Sequence, residues 1–130
     1  MERWLRQYSE VAYLAMRVVF AFLFIFHAPQ KLFGWYGGPQ FPAMSLRGLA
    51  AAIEIVCSPL IALGFFTPFA ALLASGEMAF AYFIVHYPRP GWPIENRGEL
   101  VVLWCFAYLY IASRGGGKYS LDHLLRKKPA

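Results

Sequence analysis

The stretch that decides the fold is residues 11–26, VAYLAMRVVFAFLFIF, in which Arg17 is the only charged residue. Continued to Phe33, this apolar run is long enough to cross the ~30 Å of hydrocarbon in a bilayer. We therefore predict a membrane-spanning helix over roughly residues 11–33. Arg17 interrupts the run and no small-residue cleavage site follows it, so we expect a retained helix rather than a signal peptide.

Three more apolar stretches follow, at roughly residues 46–66, 69–87 and 98–113. Only Thr67-Pro68 separates the second stretch from the third, which requires a tight helical hairpin, and a proline suits the first turn of the following helix. The sequence thus predicts an all-α fold, a four-helix transmembrane bundle formed by residues 1–130 as one domain.

The composition excludes several other classes of protein. The chain has 130 residues, of which 59% are hydrophobic and 15% charged, and its mean hydropathy is +0.47. Soluble domains carry about 25% charged residues, and disordered chains lack this many aromatic residues. Cys57 and Cys105 lie inside apolar runs, so we interpret them as packing residues rather than a disulfide framework.

The net charge of +5 is concentrated in a basic tail, residues 114–130. Such a tail beside a membrane helix is typical of an orientation signal or of contact with anionic lipid, so we expect the bilayer and not nucleic acid as partner. Together with Arg3 and Arg6, the tail predicts that both termini face the cytoplasm. Its five basic residues are Arg114, Lys118, Arg126, Lys127 and Lys128.

Ionisable side chains inside the apolar spans are the candidates for function. A charge at the bilayer centre costs at least ~2.5 kcal/mol, so these groups should face the protein interior and pair. Glu54 and Glu77 fall near the middle of their spans, with Arg17 closer to the cytoplasm, and we predict a buried charge network of these three residues. The network either fixes the register of the helices or takes part in function.

The first helix presents five of its side chains on one face. Arg17, Phe20, Phe24, His27 and Lys31 are spaced 3, 4, 3 and 4 residues apart, which is a heptad pattern directed into the bundle. Pro29 removes a backbone hydrogen bond, so we expect a kink beside His27.

A second polar group is predicted in the outer third of the bundle: His27, Lys31, His86 and Glu99. The alternatives are that Lys31 and Glu99 only reach to the interface, and that the histidines bind a freed carbonyl or a loop. His86 follows Glu77 by nine residues, so the two face one cavity only if the helix is distorted near Tyr87-Pro88. We predict no metal site.

A series of short motifs runs along most of the chain, in this order: Arg17, His27, Lys31-Leu32-Phe33-Gly34, Gly48, Ile53-Glu54, Thr67-Pro68, Met78, His86, Asn96-Arg97-Gly98-Glu99 and Ser120-Leu121-Asp122. In order and spacing this series resembles the DoxX family of small bacterial four-helix membrane proteins. The resemblance covers roughly residues 11–122, with departures at Ala28 and in the turn 115–117. It implies a four-helix bundle in the bacterial inner membrane and an association with redox work.

From these residues we predict an outward-facing pocket that binds a quinone-like or small phenolic molecule. An apolar ring requires aromatic walls, for which Phe20, Phe24 and Trp104 are the candidates. Its carbonyl groups require donors, which His27 and Lys31 can supply. The predicted proton-handling, catalytic residues are Glu99, His27 and His86, and no covalently bound cofactor is expected.

Two alternatives remain at this stage. The chain is either a non-enzymatic anchor for a soluble redox complex, which would dock on the basic tail, or a carrier of small solutes. The sequence does not decide whether the protein is an enzyme, which substrate or electron donor it uses, or whether it forms a homo-oligomer.

Overall fold

The computed structural model describes residues 2–127, which fold into helices joined by turns and loops. The all-α prediction is confirmed for this part of the chain. The helices are α1 (Glu2–Arg6), α2 (Ser9–Ile25), α3 (His27–Phe33), α4 (Leu46–Leu63), α5 (Thr67–Ala81), α6 (Glu99–Arg114) and α7 (Leu121–Arg126); a 3₁₀ turn, Trp35–Gly37, and a π-helical turn, Tyr82–His86, follow α3 and α5.

Among residues 2–127, three segments are long and apolar enough to cross a membrane: Ser9–Phe33, Leu46–Leu63 and Thr67–His86. They match three of the predicted spans to within a few residues. The fourth predicted span, residues 98–113, corresponds to α6, whose 16 residues are fewer than the ~20 that a typical spanning helix needs. That α6 crosses the bilayer therefore stays a prediction, as does the cytoplasmic location of the termini.

Local sequence explains where the helices start and stop. The Ser45 hydroxyl caps α4 by accepting a hydrogen bond from the Gly48 N–H at 3.1 Å. Gly64 ends the helix in a left-handed conformation with φ 71°, which glycine adopts at little cost. The helix breaks at Phe26, between α2 and α3, where Pro29 cannot donate to the Ile25 carbonyl. The predicted kink is therefore present.

Small residues on α5 allow α6 to pack closely against it. Ala70, Ala71 and Ala74 are almost fully buried, and the Ser75 hydroxyl donates to the Cys105 carbonyl of α6 at 2.7 Å. Close backbone approach of this kind is the main way in which helices associate in lipid. Large apolar side chains point outward on every long helix, Phe22 on α2 and Phe106 on α6 among them, and make a surface suited to acyl chains.

The structure has two distinct ends. The termini end holds the start of α2, the α4–α5 turn and residues 114–122, which are joined by hydrogen bonds such as Tyr13 Oη to the Gly115 carbonyl at 2.6 Å. The loop end holds the two long connections, residues 34–45 and 87–98. Of the predicted basic tail, Lys128 lies outside the described residues.

Arg17 lies at the termini end, and its predicted pairing with Glu54 or Glu77 is wrong. Its Nη2 donates to the Tyr119 carbonyl at 2.6 Å, and its side chain is 99% buried beside Gly64. Glu54 precedes Gly64 by ten residues, or about 15 Å along an ideal helix. At that distance Arg17 cannot reach either glutamate, and it instead fixes the chain after α6 against the α4–α5 turn.

We expect Gly64→Ala to lower the stability of the protein by about 2 kcal/mol. A Cβ at this position would lie 1.8 Å from Arg17 Nη1, and φ is +71°. Gly76→Ala is the matched control, because a Cβ there meets no atom within 4 Å. Thermal unfolding of both variants in lipid nanodiscs measures the difference, and equal melting temperatures would contradict this account of the turn.

Candidate functional site

A pocket of about 1060 Å³ lies between α3, α4, α5 and α6, towards the loop end. Most of its wall is apolar, and a small group of polar side chains also lines it. Ligand sites in proteins commonly combine an apolar cavity of several hundred Å³ with a few convergent polar groups. This pocket is therefore the candidate functional site.

A charged triad, Lys31, Glu54 and Glu77, lies in the pocket and joins three helices. Lys31 Nζ of α3 donates to Glu54 Oε1 of α4 and lies 3.6 Å from Glu77 Oε1 of α5. The side chains of Lys31, Glu54 and Glu77 are 20%, 1% and 6% exposed. The spacing of residues along α2 and α3 directs Lys31 inward. The long methylene chain of lysine lets its ammonium group lie at a different depth in the bundle from its Cα.

The triad has two carboxyl groups for one cation. Glu54 Oε2 and both carboxyl oxygens of Glu77 have no hydrogen-bond partner among residues 2–127. Buried polar atoms without partners are costly and are rare in stable folds. The arrangement therefore suits a site at which a proton or the polar group of a ligand completes the set.

Aromatic and imidazole rings form the wall above the triad. The His27 ring meets the Trp104 ring edge-on with centroids 5.5 Å apart, and both residues line the pocket. This agrees with the predicted direction of His27 and with the predicted aromatic wall at Trp104.

The other two predicted wall residues, Phe20 and Phe24, do not line the pocket. Phe24 is fully buried, with its ring centroid 4.9 Å from that of Trp104 and 5.0 Å from that of Tyr108. Phe20 contacts the same two rings. Both lie in the core behind Trp104, because the face they share on α2 packs directly against α6.

His86 lines the pocket together with Glu77, although nine residues separate them in the chain. The required distortion exists, but it is the π-helical turn Tyr82–His86 rather than the following Tyr87-Pro88. A π turn has more residues per turn than an α-helix and so rotates the later side chains about the axis. His86 Nδ1 lies 3.1 Å from the Asn96 carbonyl oxygen, as in the alternative in which a loop binds this histidine.

Glu99 is not part of the pocket lining, so the structure does not support its predicted place beside His27 and Lys31. It is exposed in the first turn of α6. A carboxylate is favourable there because the amide groups of the first turn carry partial positive charge. Lys31, which was expected near Glu99, lies instead against the two mid-span glutamates.

Several pocket residues were not predicted from the sequence. Gln30, Arg47 and Arg97 line it, and so does Gly76, next to Glu77. The one available signal was position: Gln30 is adjacent to Lys31, and Arg47 precedes Glu54 by seven residues, which puts both on one face of α4. Arg97 has a left-handed backbone, φ 61°, which the sequence does not reveal.

Within residues 2–127, no group of three or more His, Cys, Asp or Glu side chains is placed to hold a metal ion. The charged and polar side chains of the pocket carry one ammonium group, two guanidinium groups, two carboxyl groups, two imidazoles and an amide. This set can hydrogen-bond a carbonyl or hydroxyl group and can give or accept a proton.

Comparisons with known proteins agree with the fold and are silent on the activity. The DoxX family model matches residues 12–87, a range that contains the whole charged triad. A protein of Haemophilus influenzae (strain ATCC 51907 / DSM 11121 / KW20 / Rd), named only "Uncharacterized protein", is 37% identical over 134 aligned residues, which cover 95% of this chain and 98% of that protein. No solved structure matches this chain.

Proposed function

The chain belongs to the DoxX family, and from that premise we propose that this membrane protein binds a quinone-like or small phenolic ligand in its pocket and takes part in the redox chemistry of that ligand. The observation that carries the proposal is the position of the charged triad inside a large apolar cavity. We place the protein in the bacterial inner membrane with four spans.

The chemistry of a quinone fits the groups in the pocket. Its ring is apolar and stacks on aromatic side chains, for which Trp104 is available, while its oxygen atoms accept hydrogen bonds as a quinone and donate them as a quinol. His27 and Lys31 are the donors to the quinone form. The unpartnered oxygens of Glu54 and Glu77 are acceptors for the quinol form.

Reduction of a quinone to a quinol takes up two electrons and two protons. The carboxyl groups and His27 are placed to exchange the protons at the ring oxygens. We propose that a soluble redox protein supplies or removes the electrons. Such an electron donor would dock at the loop end, next to the pocket. The exposed side chains of Lys118 and Arg126 lie at the termini end and offer a surface for an acidic partner that is only anchored there.

The triad also favours a second candidate, a proton-coupled carrier of small solutes. Ionisable groups within membrane spans often mark ion or proton pathways, and one lysine between two carboxyl groups is a set that can bind and release a proton. A carrier, unlike a redox site, moves its solute from one side of the bilayer to the other.

His27→Phe is expected to weaken quinone binding by about 5- to 30-fold, because phenylalanine keeps the ring contact with Trp104 but removes a hydrogen bond worth about 1–2 kcal/mol. Binding of a short-chain benzoquinone to the purified protein in nanodiscs measures the effect. His123→Phe, a histidine at the termini end, is the matched control and should bind as the native protein does.

Two results would overturn the redox proposal. One is that the native protein binds no quinone and no phenol at any concentration that the nanodiscs tolerate. The other is that the protein in liposomes moves a solute across the bilayer down a proton gradient while quinones leave its melting temperature unchanged; this second result would establish the carrier.

A further inference from the structure

We infer that the pocket takes its ligand from the bilayer itself, through a side opening between α4 and α5, so that the ligand is a membrane-resident quinone with a long apolar tail. This inference rests on the proposed function and names the substrate class for the same site. A small phenol dissolved in water would instead enter from the aqueous side at the loop end.

The rim of the opening consists of apolar side chains that point out of the bundle. Leu46 and Leu49 on α4 are 68% and 58% exposed, and Leu72, Leu73 and Phe80 on α5 are 57%, 51% and 65% exposed. All five also line the pocket. A cavity whose rim is apolar and lies along membrane-spanning helices opens towards acyl chains rather than towards water.

The contacts between α4 and α5 differ along their length. At the termini end the turn at Gly64 joins the two helices. Nearer the loop end the side chain of Lys31 lies between them and contacts both glutamates. Gly76 lines the gap on α5, and no atom lies within 4 Å of the position of a Cβ there.

The gap leads from the rim to polar atoms that have no protein partner. The side chains of Glu54 and Glu77 are 99% and 94% buried, and three of their four oxygens have no hydrogen-bond partner among the described residues. A second apolar helix seated on the rim would leave these atoms unsatisfied. A lipid with a polar head satisfies them while its tail remains in the gap.

The pocket also has the length that a tail requires. Its lining on α5 extends from Phe69 to Ala81, which is about 18 Å along an ideal helix. A head group at the triad therefore leaves a wall of leucine and phenylalanine along which several isoprene units or an acyl chain can lie.

The test compares a long-tailed quinone with the same head group lacking its tail, using the full chain in nanodiscs. Gly76→Leu puts an apolar side chain into the gap at a position where an added Cβ meets no neighbouring atom within 4 Å. We expect it to weaken binding of the tailed quinone by about tenfold or more and that of the tail-free quinone by less than about threefold. Ala52→Leu is the matched control, because Ala52 is exposed on α4 and does not line the pocket. Leu49→Trp, on the opposite side of the gap, should reproduce the effect of Gly76→Leu.

The outcomes separate this inference from the proposed function. If both quinones bind the native protein and neither rim variant changes the affinity for the tailed one, lateral entry is wrong while quinone binding stands. If Gly76→Leu converts a native dimer to a monomer and leaves quinone affinity unchanged, a second copy covers the gap and the inference is overturned. If neither quinone binds the native protein, the proposed function itself fails.

Discussion

Lys31→Met is expected to destabilise the protein by about 3–5 kcal/mol, the largest effect of any single substitution considered for this chain. The ammonium group of Lys31 is the cation that contacts both Glu54 and Glu77. Without it, each buried carboxyl group must either keep an unpaired charge or take up a proton, and both cost free energy. Thermal unfolding of the variant in nanodiscs, followed by circular dichroism, measures the loss.

A combined variant identifies the cause of that loss. Adding Glu54→Gln and Glu77→Gln to Lys31→Met removes all three charges with little change in shape, and most of the stability should return. Lys118→Met is the control, since this exposed lysine makes no ion pair within residues 2–127, and it should change stability by less than about 0.5 kcal/mol. An unchanged melting temperature for Lys31→Met would show that the triad does not hold α3, α4 and α5 together.

The second large effect is expected at Asp122, whose carboxylate caps the start of α5 from 55 residues away. It accepts hydrogen bonds from the Phe66 N–H at 2.9 Å, the Thr67 N–H at 3.0 Å and the Thr67 hydroxyl at 2.9 Å. Phe66 has a left-handed backbone, φ 48°, and these bonds help to hold it. Asp122→Ala should therefore cost about 3 kcal/mol, as expected for several charge-assisted bonds at a helix start.

This contribution should depend on pH. Burial acts to raise the pKa of Asp122, but the hydrogen bonds from Thr67 and Phe66 outweigh it and lower the pKa below its ordinary value of 3.8. The native structure thus favours the charged form, so the contribution is present above the unfolded pKa and is lost as the pH falls through the folded value. Measured between pH 7 and pH 3, the difference in melting temperature between native and Asp122→Ala protein should shrink; Glu2→Ala, at an exposed carboxylate, should show no such trend.

Hydropathy was sufficient to predict the helical fold and the limits of three long segments. The helix ends are marked by residues with strong local preferences, such as Ser45 before α4, Gly64 after it and Pro68 at the start of α5. The break at Phe26 follows from Pro29 alone. The π-helical turn at Tyr82–His86 has no such marker, since it results from how the end of α5 packs against the loop that follows.

Which residues belong to the site could be predicted from the sequence better than which of these residues contact one another. Lys31, Glu54, His27 and Trp104 were all expected to face inward, because a polar group on a membrane helix is costly on the lipid face. The predicted pairing of Arg17 with the glutamates came from counting residues along straight helices to estimate how deep each residue lies in the bilayer. That prediction is wrong because such a count locates the backbone and not the charged atom at the end of the side chain. Lysine has a long, flexible side chain, so its ammonium group lies well away from its own Cα and contacts Glu54 and Glu77.

The hydrogen bonds of Asp122 to the α4–α5 turn also bear on how the chain is assembled. A ribosome makes Thr67 55 residues before Asp122, so α4 and α5 enter the membrane while the amide groups at the start of α5 still lack their acceptor. The nascent hairpin is an incomplete form that only later synthesis can finish. Insertion and final closure are thus separate events in time, and a stalled or prematurely terminated chain would present a loosened turn to the proteases that survey newly made membrane proteins.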